Sequence, residues 1–277
     1  MKAKQENIKK GVQDEPGLPY LKRTFPFRLS TTSYILPAAI MPNIRFLGPY
    51  LDEVELVLFE SRCEDNLPKR GEIQEMCELA QQLDLTYSVH LPTDIFLGDP
   101  DPEVRNKACQ KALQFIRRTL PLDPACYILH LERSVRHDTN SGKRRCWLER
   151  MKASLETMVA EGLRSNHIAV ENLNYPLEWI QDLVVAMGMS FCLDVGHLVR
   201  YGYDLNRHFQ DFLDRTSMIH LHGVLDGVDH RGLQFISEDE WALIVGALEN
   251  YQGGLCIEVF SLHDLRSSLA RMKEALC

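Results

Sequence analysis

Short apolar runs that end in a carboxylate or an imidazole recur along this chain. Ile168-Ala-Val-Glu171 stops at an acid, and Phe191-Cys-Leu-Asp194 stops at an acid with His197 three residues on. Comparable runs lead to His90, His130, His220 with His222, and Glu258, while Glu60 closes Val54–Glu60 and Asp229-His230 follows the run at 218–222. Gathering these acids and imidazoles in one polar pocket would cost roughly several kcal/mol per buried ion without counter-charge. No matching set of Lys or Arg stands at the same positions, so divalent cations are the natural compensation. Imidazole and carboxylate without thiolate favour Zn²⁺, Mn²⁺ or Fe²⁺ over Cu⁺, and are too nitrogen-rich for Mg²⁺ alone.

The candidate ligands are His90, His130, Glu171, Asp194, His197, His220, Asp229, His230 and Glu258. About nine donors exceed the needs of one ion, so two or three divalent ions are expected. Clustered ions clamp a phosphoryl oxygen, activate water and stabilise a leaving oxygen, which is the chemistry of phosphoester hydrolysis. Glu171 and Glu258 are the candidate catalytic carboxylates. Ser33, Tyr34, Glu60 and His222 are candidates for contacts to substrate.

The elements that must position these residues follow from hydrophobic periodicity. Strands are predicted at 28–34, 54–60, 86–91, 126–132, 168–172, 190–194, 218–222 and 255–260. Helical spacing lies between them, within 38–51 and over 71–83, 147–163, 177–187, 205–213 and 262–276. Asp101-Pro102-Glu103 reads as an N-cap with a first-turn proline and acid, and Ser237-Glu-Asp-Glu240 as a capping box; each opens one further helix. Eight βα units without a second core predict a single (β/α)8 TIM barrel over 27–277. The alternative, a doubly wound open sheet, lacks a glycine-rich phosphate loop after its first strand. In a barrel the active site lies at the C-terminal strand ends, where the acids and imidazoles stand.

Residues 1–26 show little apolar periodicity and no signal-peptide core, and are expected to form a flexible N-terminal arm. Of 277 residues, 45% are hydrophobic and 25% charged, ordinary values for a globular protein. No apolar run reaches the roughly 18–20 residues of a membrane span. A net charge of −8 argues against a broad nucleic-acid surface, and the short basic run Lys143-Arg144-Arg145 reads as a solvated helix start. The eight cysteines form no CxxC pair, so reduced core thiols in a cytoplasmic protein are expected. The residues leave assembly as a homodimer open.

The ordered series Ser88-Val-His90-Leu, Leu129-His130-Leu, Val170-Glu171-Asn172, Leu193-Asp194-Val-Gly-His197, Ile219-His220-Leu-His222, Asp229-His230 and Ile257-Glu258 resembles the xylose-isomerase-like TIM barrels over about 28–277. That superfamily contains sugar isomerases and epimerases and endonuclease IV-type apurinic endonucleases. The first branch implies one metal held by the counterparts of Glu171, Asp194, His220 and Glu258. The second implies a trinuclear site that adds His90, His130, His197, Asp229 and a histidine just after it. That branch commonly separates its last Asp and His by one residue, whereas Asp229 and His230 are adjacent here, so either His230 or His222 could be the ligand.

Within the superfamily, Ser30-Thr-Thr-Ser-Tyr-Ile-Leu-Pro37, Val54-Glu-Leu-Val-Leu-Phe-Glu60 and His90-Leu-Pro92 look like the cobamide-remodelling phosphodiesterases. The resemblance implies hydrolysis of the phosphoribosyl linkage in the nucleotide loop of a vitamin B12-type corrinoid. A small-molecule cobamide substrate, no nucleic acid and no membrane partner are then expected. A one-metal sugar isomerase or epimerase and an apurinic endonuclease are the alternatives.

Overall fold

Eight parallel strands close on themselves in the computed structural model, which describes residues 17–62, 67–132 and 141–276. In chain order the first seven are β1 (Arg28–Thr32), β2 (Glu53–Val57), β3 (Thr86–His90), β4 (Tyr127–Leu129), β5 (Ile168–Glu171), β6 (Ser190–Asp194) and β7 (Thr216–Leu221). A short hairpin of β8 (Gly223–Leu225) and β9 (Val228–Arg231) intervenes before the eighth barrel strand, β10 (Gly254–Ile257). Each barrel strand pairs in parallel with its neighbours in chain order, and β10 returns to β1 to close the ring. The expected (β/α)8 barrel is the observed fold.

Period-2 alternation divides each strand between two environments. Outward residues such as Leu29, Val54, Leu56, Val89, Val170, Phe191, Leu193 and Leu255 belong to the large core packed under the helices. The inward residues Cys126, Ile128, Ala169, Cys192, Met218 and Cys256 form a separate buried cluster inside the barrel. The next inward residue along each of those strands is His130, Glu171, Asp194, His220 or Glu258. Sulfur and methyl groups thus plug the barrel, and the polar donors sit one layer above them, toward the mouth. Cys126, Cys192 and Cys256 are free and buried, as expected of core thiols.

The helices that surround the barrel and open onto its mouth are α1 (Ile40–Leu47), α2 (Arg70–Leu83), α3 (Pro102–Thr119), α4 (Ser141–Ala160), α5 (Gln181–Ala186), α6 (Val195–Tyr201), α7 (Leu205–Phe212), α8 (Glu238–Leu248) and α9 (Leu262–Leu276). The Asp101 carboxylate accepts from Glu103 N at 2.8 Å, with Pro102 in the first turn of α3. Ser237 and Glu240 form the predicted reciprocal box at the start of α8. Helix α4 begins at Ser141, so Lys143 and the basic run after it lie in its first turns. Arg144 stacks its guanidinium over Trp179 at 4.9 Å, using its charge on an aromatic face.

Two elements depart from the expected pattern. The sequence Asp194-Val-Gly-His continues directly into α6, because the Asp194 carboxylate caps it by accepting from His197 N at 2.7 Å. The β8–β9 hairpin after β7 is the other. Asp226 and Gly227 turn it with φ of 53° and 76°, the left-handed pair that a tight primed turn requires.

Of the arm predicted at 1–26, residues 1–16 lie outside the described residues. Residues 17–26 are laid against the N-terminal ends of the strands: Leu21 is buried, and Lys22 Nζ donates to Gly48 O and Leu51 O at 2.9 and 2.7 Å. The described part of the arm is therefore docked on the loop that enters β2, away from the mouth.

Candidate metal centre

Glu171, the last residue of β5, is the hub of the mouth. Its Oε2 lies 2.9 Å from His130 Nε2, 3.2 Å from His90 Nε2 and 3.5 Å from His220 Nδ1, and its Oε1 lies 3.3 Å from His197 Nδ1. Four strands and a helix start deliver these groups, so the cluster exists only in the closed barrel. Asp194 stands 3.2 Å from both His197 Nδ1 and His222 Nε2, and Glu258 stands 3.1 Å from His220 Nδ1 and 3.6 Å from His230 Nδ1.

Two donor sets stand out. The ligand atoms of Glu171, Asp194, His220 and Glu258 all lie within 4.8 Å of one another, as do those of His197, His222 and His230. His90 with Glu171 and His220 makes a third, overlapping group. The sequence left His222 and His230 as rivals for one ligand place; the structure puts both in the second set, their ring centroids 4.4 Å apart.

The chemistry of these donors fits a cation. His90 Nδ1 is 2.9 Å from the Leu91 carbonyl, an acceptor that fixes a proton on that nitrogen, so Nε2 is the atom turned to Glu171 Oε2 at 3.2 Å. His220 Nδ1 and Glu258 Oε2 are both buried and lack a hydrogen-bond partner, although they face each other at 3.1 Å. Buried polar atoms are rarely left so, and an ion between them would satisfy both.

Electrostatics supports the same conclusion. Burial opposes charge on every carboxylate here, yet His130 and His220 hold Glu171 well below its usual range, and His220 and His230 do the same for Glu258. Asp194 is lowered against burial by His197 and His222. Burial likewise disfavours a charged imidazole, but Glu171 and Glu132 raise His130 to about 9, and Asp194 and Glu171 raise His197 to about 10. His230 is lowered, chiefly by burial. The acids are thus ionised and hold protons on neighbouring imidazoles, which an incoming cation would replace.

The remaining candidates fall differently. The Asp229 carboxylate is paired with Arg200 and stands 3.9 Å from His197 Nε2, at the edge of the second donor set. Strand β2 ends at Val57, so Glu60 lies three residues past its tip and is exposed; the acid that this strand sends into the barrel is Glu55, fully buried with Oε2 3.0 Å from His220 Nε2. Two acids at alternate positions, Glu53 and Glu55, in a strand that had to be buried were the missed signal. Ser33 is buried and its Oγ accepts from Val57 N at 3.1 Å, so that hydroxyl ties the end of β1 to β2. Tyr34 lines a groove of about 700 Å³ formed by residues 34–38 and 260–262. Phe260 separates this groove from the donors, its ring 5.1 Å from His230 and 6.0 Å from Phe59.

Groups that hold the donors in place also went unread. Asn172 clamps the tip of β6, its Oδ1 accepting from Asp194 N at 2.7 Å and its Nδ2 donating to Asp194 O at 2.9 Å. Glu132 Oε1 takes the far nitrogen of His130 at 3.2 Å.

Sequence comparison agrees with this architecture: residues 50–275 match the xylose isomerase-like TIM barrel family. The chain belongs to that family. Solved structures similar to this member share its fold at low identity. A D-tagatose 3-epimerase-like protein superposes with a TM-score of 0.74 at 17% identity, covering 90% of this chain and 97% of its own. Endonuclease IV from Thermus thermophilus gives 0.68 at 18% identity, covering 89% and 99%. The IOLI protein, solved with a zinc atom, gives 0.68 at 11% identity, covering 90% and 96%. No curated protein is significantly similar to the chain in sequence. Among the described residues no helix is long and apolar enough to cross a membrane.

Proposed function

We propose that this xylose isomerase-like barrel is a metal-dependent phosphodiesterase acting on a small-molecule phosphodiester, with the nucleotide loop of a cobamide as substrate. The observation that carries the reading is the second donor set, His197, His222 and His230, beside the four-residue set that would satisfy one ion. Glu171, Asp194, His220 and Glu258 would hold one divalent ion, the second set another, and His90 and His130 would complete the shell around Glu171. Divalent ions so held polarise a phosphoryl oxygen and acidify water.

The chain's own groups supply the rest. Glu171 and Glu258, kept ionised by the imidazoles around them, would accept a hydrogen bond from an attacking water and orient it. Phe59 and Phe260 form an apolar wall beside the donors. The groove along Tyr34–Ala38 suits a bulky, largely apolar portion of the substrate. The net charge of −8 favours a compact phosphodiester over a DNA backbone.

The decisive experiment incubates the protein with a complete cobamide and Mn²⁺ or Zn²⁺ and follows release of a cobinamide-type product by chromatography. Cleavage supports the reading; no cleavage with any divalent ion, alongside nicking of abasic DNA, overturns it. A second reading, sugar epimerase, has the epimerase-like structural neighbour and the four-residue donor set in its favour. Interconversion of ketoses by protein holding one metal per chain would establish it.

A further inference from the structure

The fully buried Glu55 has no place in the chemistry above. It sits on the inner face of β2, and its only hydrogen-bonded side-chain partner among the described residues is His220, 165 residues away on β7. Arg28, on the neighbouring strand β1, is paired with Glu53 at 2.9 Å. A carboxyl group buried in a barrel is hard to account for as packing, since an apolar side chain of similar size would fill the space without a desolvation cost.

We propose that Glu55 is a positioning residue that fixes the tautomer and ring orientation of His220, so that Nδ1 is the nitrogen offered to a metal. With the Glu55 oxygen as acceptor, the 3.0 Å contact puts the proton on His220 Nε2. In the metal-bound ring, which carries that one proton, the lone pair is on Nδ1. That atom faces Glu258 Oε2 at 3.1 Å and Glu171 Oε2 at 3.5 Å and has no hydrogen-bond partner. Carboxylates behind a ligating imidazole commonly set which nitrogen binds and raise its basicity. The inference rests on the reading of the mouth as a metal centre.

The test uses the whole protein loaded with Zn²⁺ and labelled with ¹⁵N-histidine, together with Glu55→Gln and Glu55→Leu. The wild type is expected to show Nε2–H and Nδ1 coordination at His220 in long-range ¹H–¹⁵N spectra. Zinc affinity, read by chelator competition, is expected to fall about 10- to 100-fold in Glu55→Leu, with partial rescue in Glu55→Gln, whose amide oxygen still accepts. Coordination through Nε2 in the wild type overturns the proposal, and that spectrum decides even if the variants do not fold. Unchanged affinity in a folded Glu55→Leu overturns it while leaving the metal centre intact. A wild type that takes up no zinc removes both the metal reading and this proposal.

Discussion

The carboxylate of Glu171 and the imidazole of His130 meet at 2.9 Å although 41 residues separate them in the chain. On its far side His130 reaches Glu132, so one imidazole lies between two acids. Without a metal, a proton must occupy part of this network.

That arrangement gives a pH dependence with a definite sign. His130 rises from 6.5 to about 9 on folding and His197 from 6.5 to about 10. Their contribution to the metal-free fold is fully present below pH 6.5 and is lost as pH rises through 9 to 10. The melting temperature of EDTA-treated protein should therefore fall between about pH 7 and pH 10, while a metal-loaded sample, in which ions replace those protons, should fall less. Scanning fluorimetry across that range checks it; parallel curves would show that the imidazoles are not held by the acids.

Exchanging Glu171 for Gln keeps the shape of the hub and removes its charge. Activity is expected to drop about 100-fold or more, with at least one metal equivalent lost. The melting temperature of the metal-free variant should fall, because the imidazoles of His130 and His197 lose the buried charge that pairs them. Elemental analysis and turnover measured on the same preparation decide. Full activity in this variant would place the site elsewhere.

Gly196 lies where a Cβ would come within 2.0 Å of the His222 ring. Alanine suits the start of α6, so the strain should fall on the histidine, which must swing away from Asp194. Gly196→Ala is predicted to fold with a melting point near that of the wild type and to lose about 10- to 100-fold in metal affinity or rate. Calorimetric metal titration would reveal an unaffected site if His222 is not a ligand.

Phe191, an outward residue of β6, packs edge-on against Phe212 at a centroid distance of 5.3 Å and is fully buried. Phe191→Ala should destabilise the barrel by about 3–5 kcal/mol. Urea denaturation measures this; a loss below about 1 kcal/mol would mean that the space refills. The donors on the opposite face of the strand should keep their metal affinity in a variant that remains folded.

Most of the fold was legible because buried parallel strands leave unmistakable apolar runs, and because Asp101 and Ser237 announce their helices by capping. The strand tips His90, Glu171 and Asp194 could be read for the same reason: a charged residue after an apolar run must emerge at a polar end. Strand lengths were less legible. The run 54–60 stays apolar past the sheet, so Glu60 looked terminal while hydrogen bonding ends at Val57. The hairpin after β7 was signalled by Asp226-Gly227, but its strands are only three and four residues long, too short for a period to show.

What the sequence determined by itself was therefore the order of the donors around a ring, since chain order and strand order coincide in a βα barrel. Which donors come within 4.8 Å of one another was decided by tertiary structure alone. Closure of the barrel sets Glu55 against His220 across the lumen, and the left-handed backbone at His230, with φ of 54°, accompanies its ring's place beside His222 and Glu258. Those relations depend on strand tilt and side-chain direction across the barrel, quantities that a residue's neighbours in sequence do not constrain.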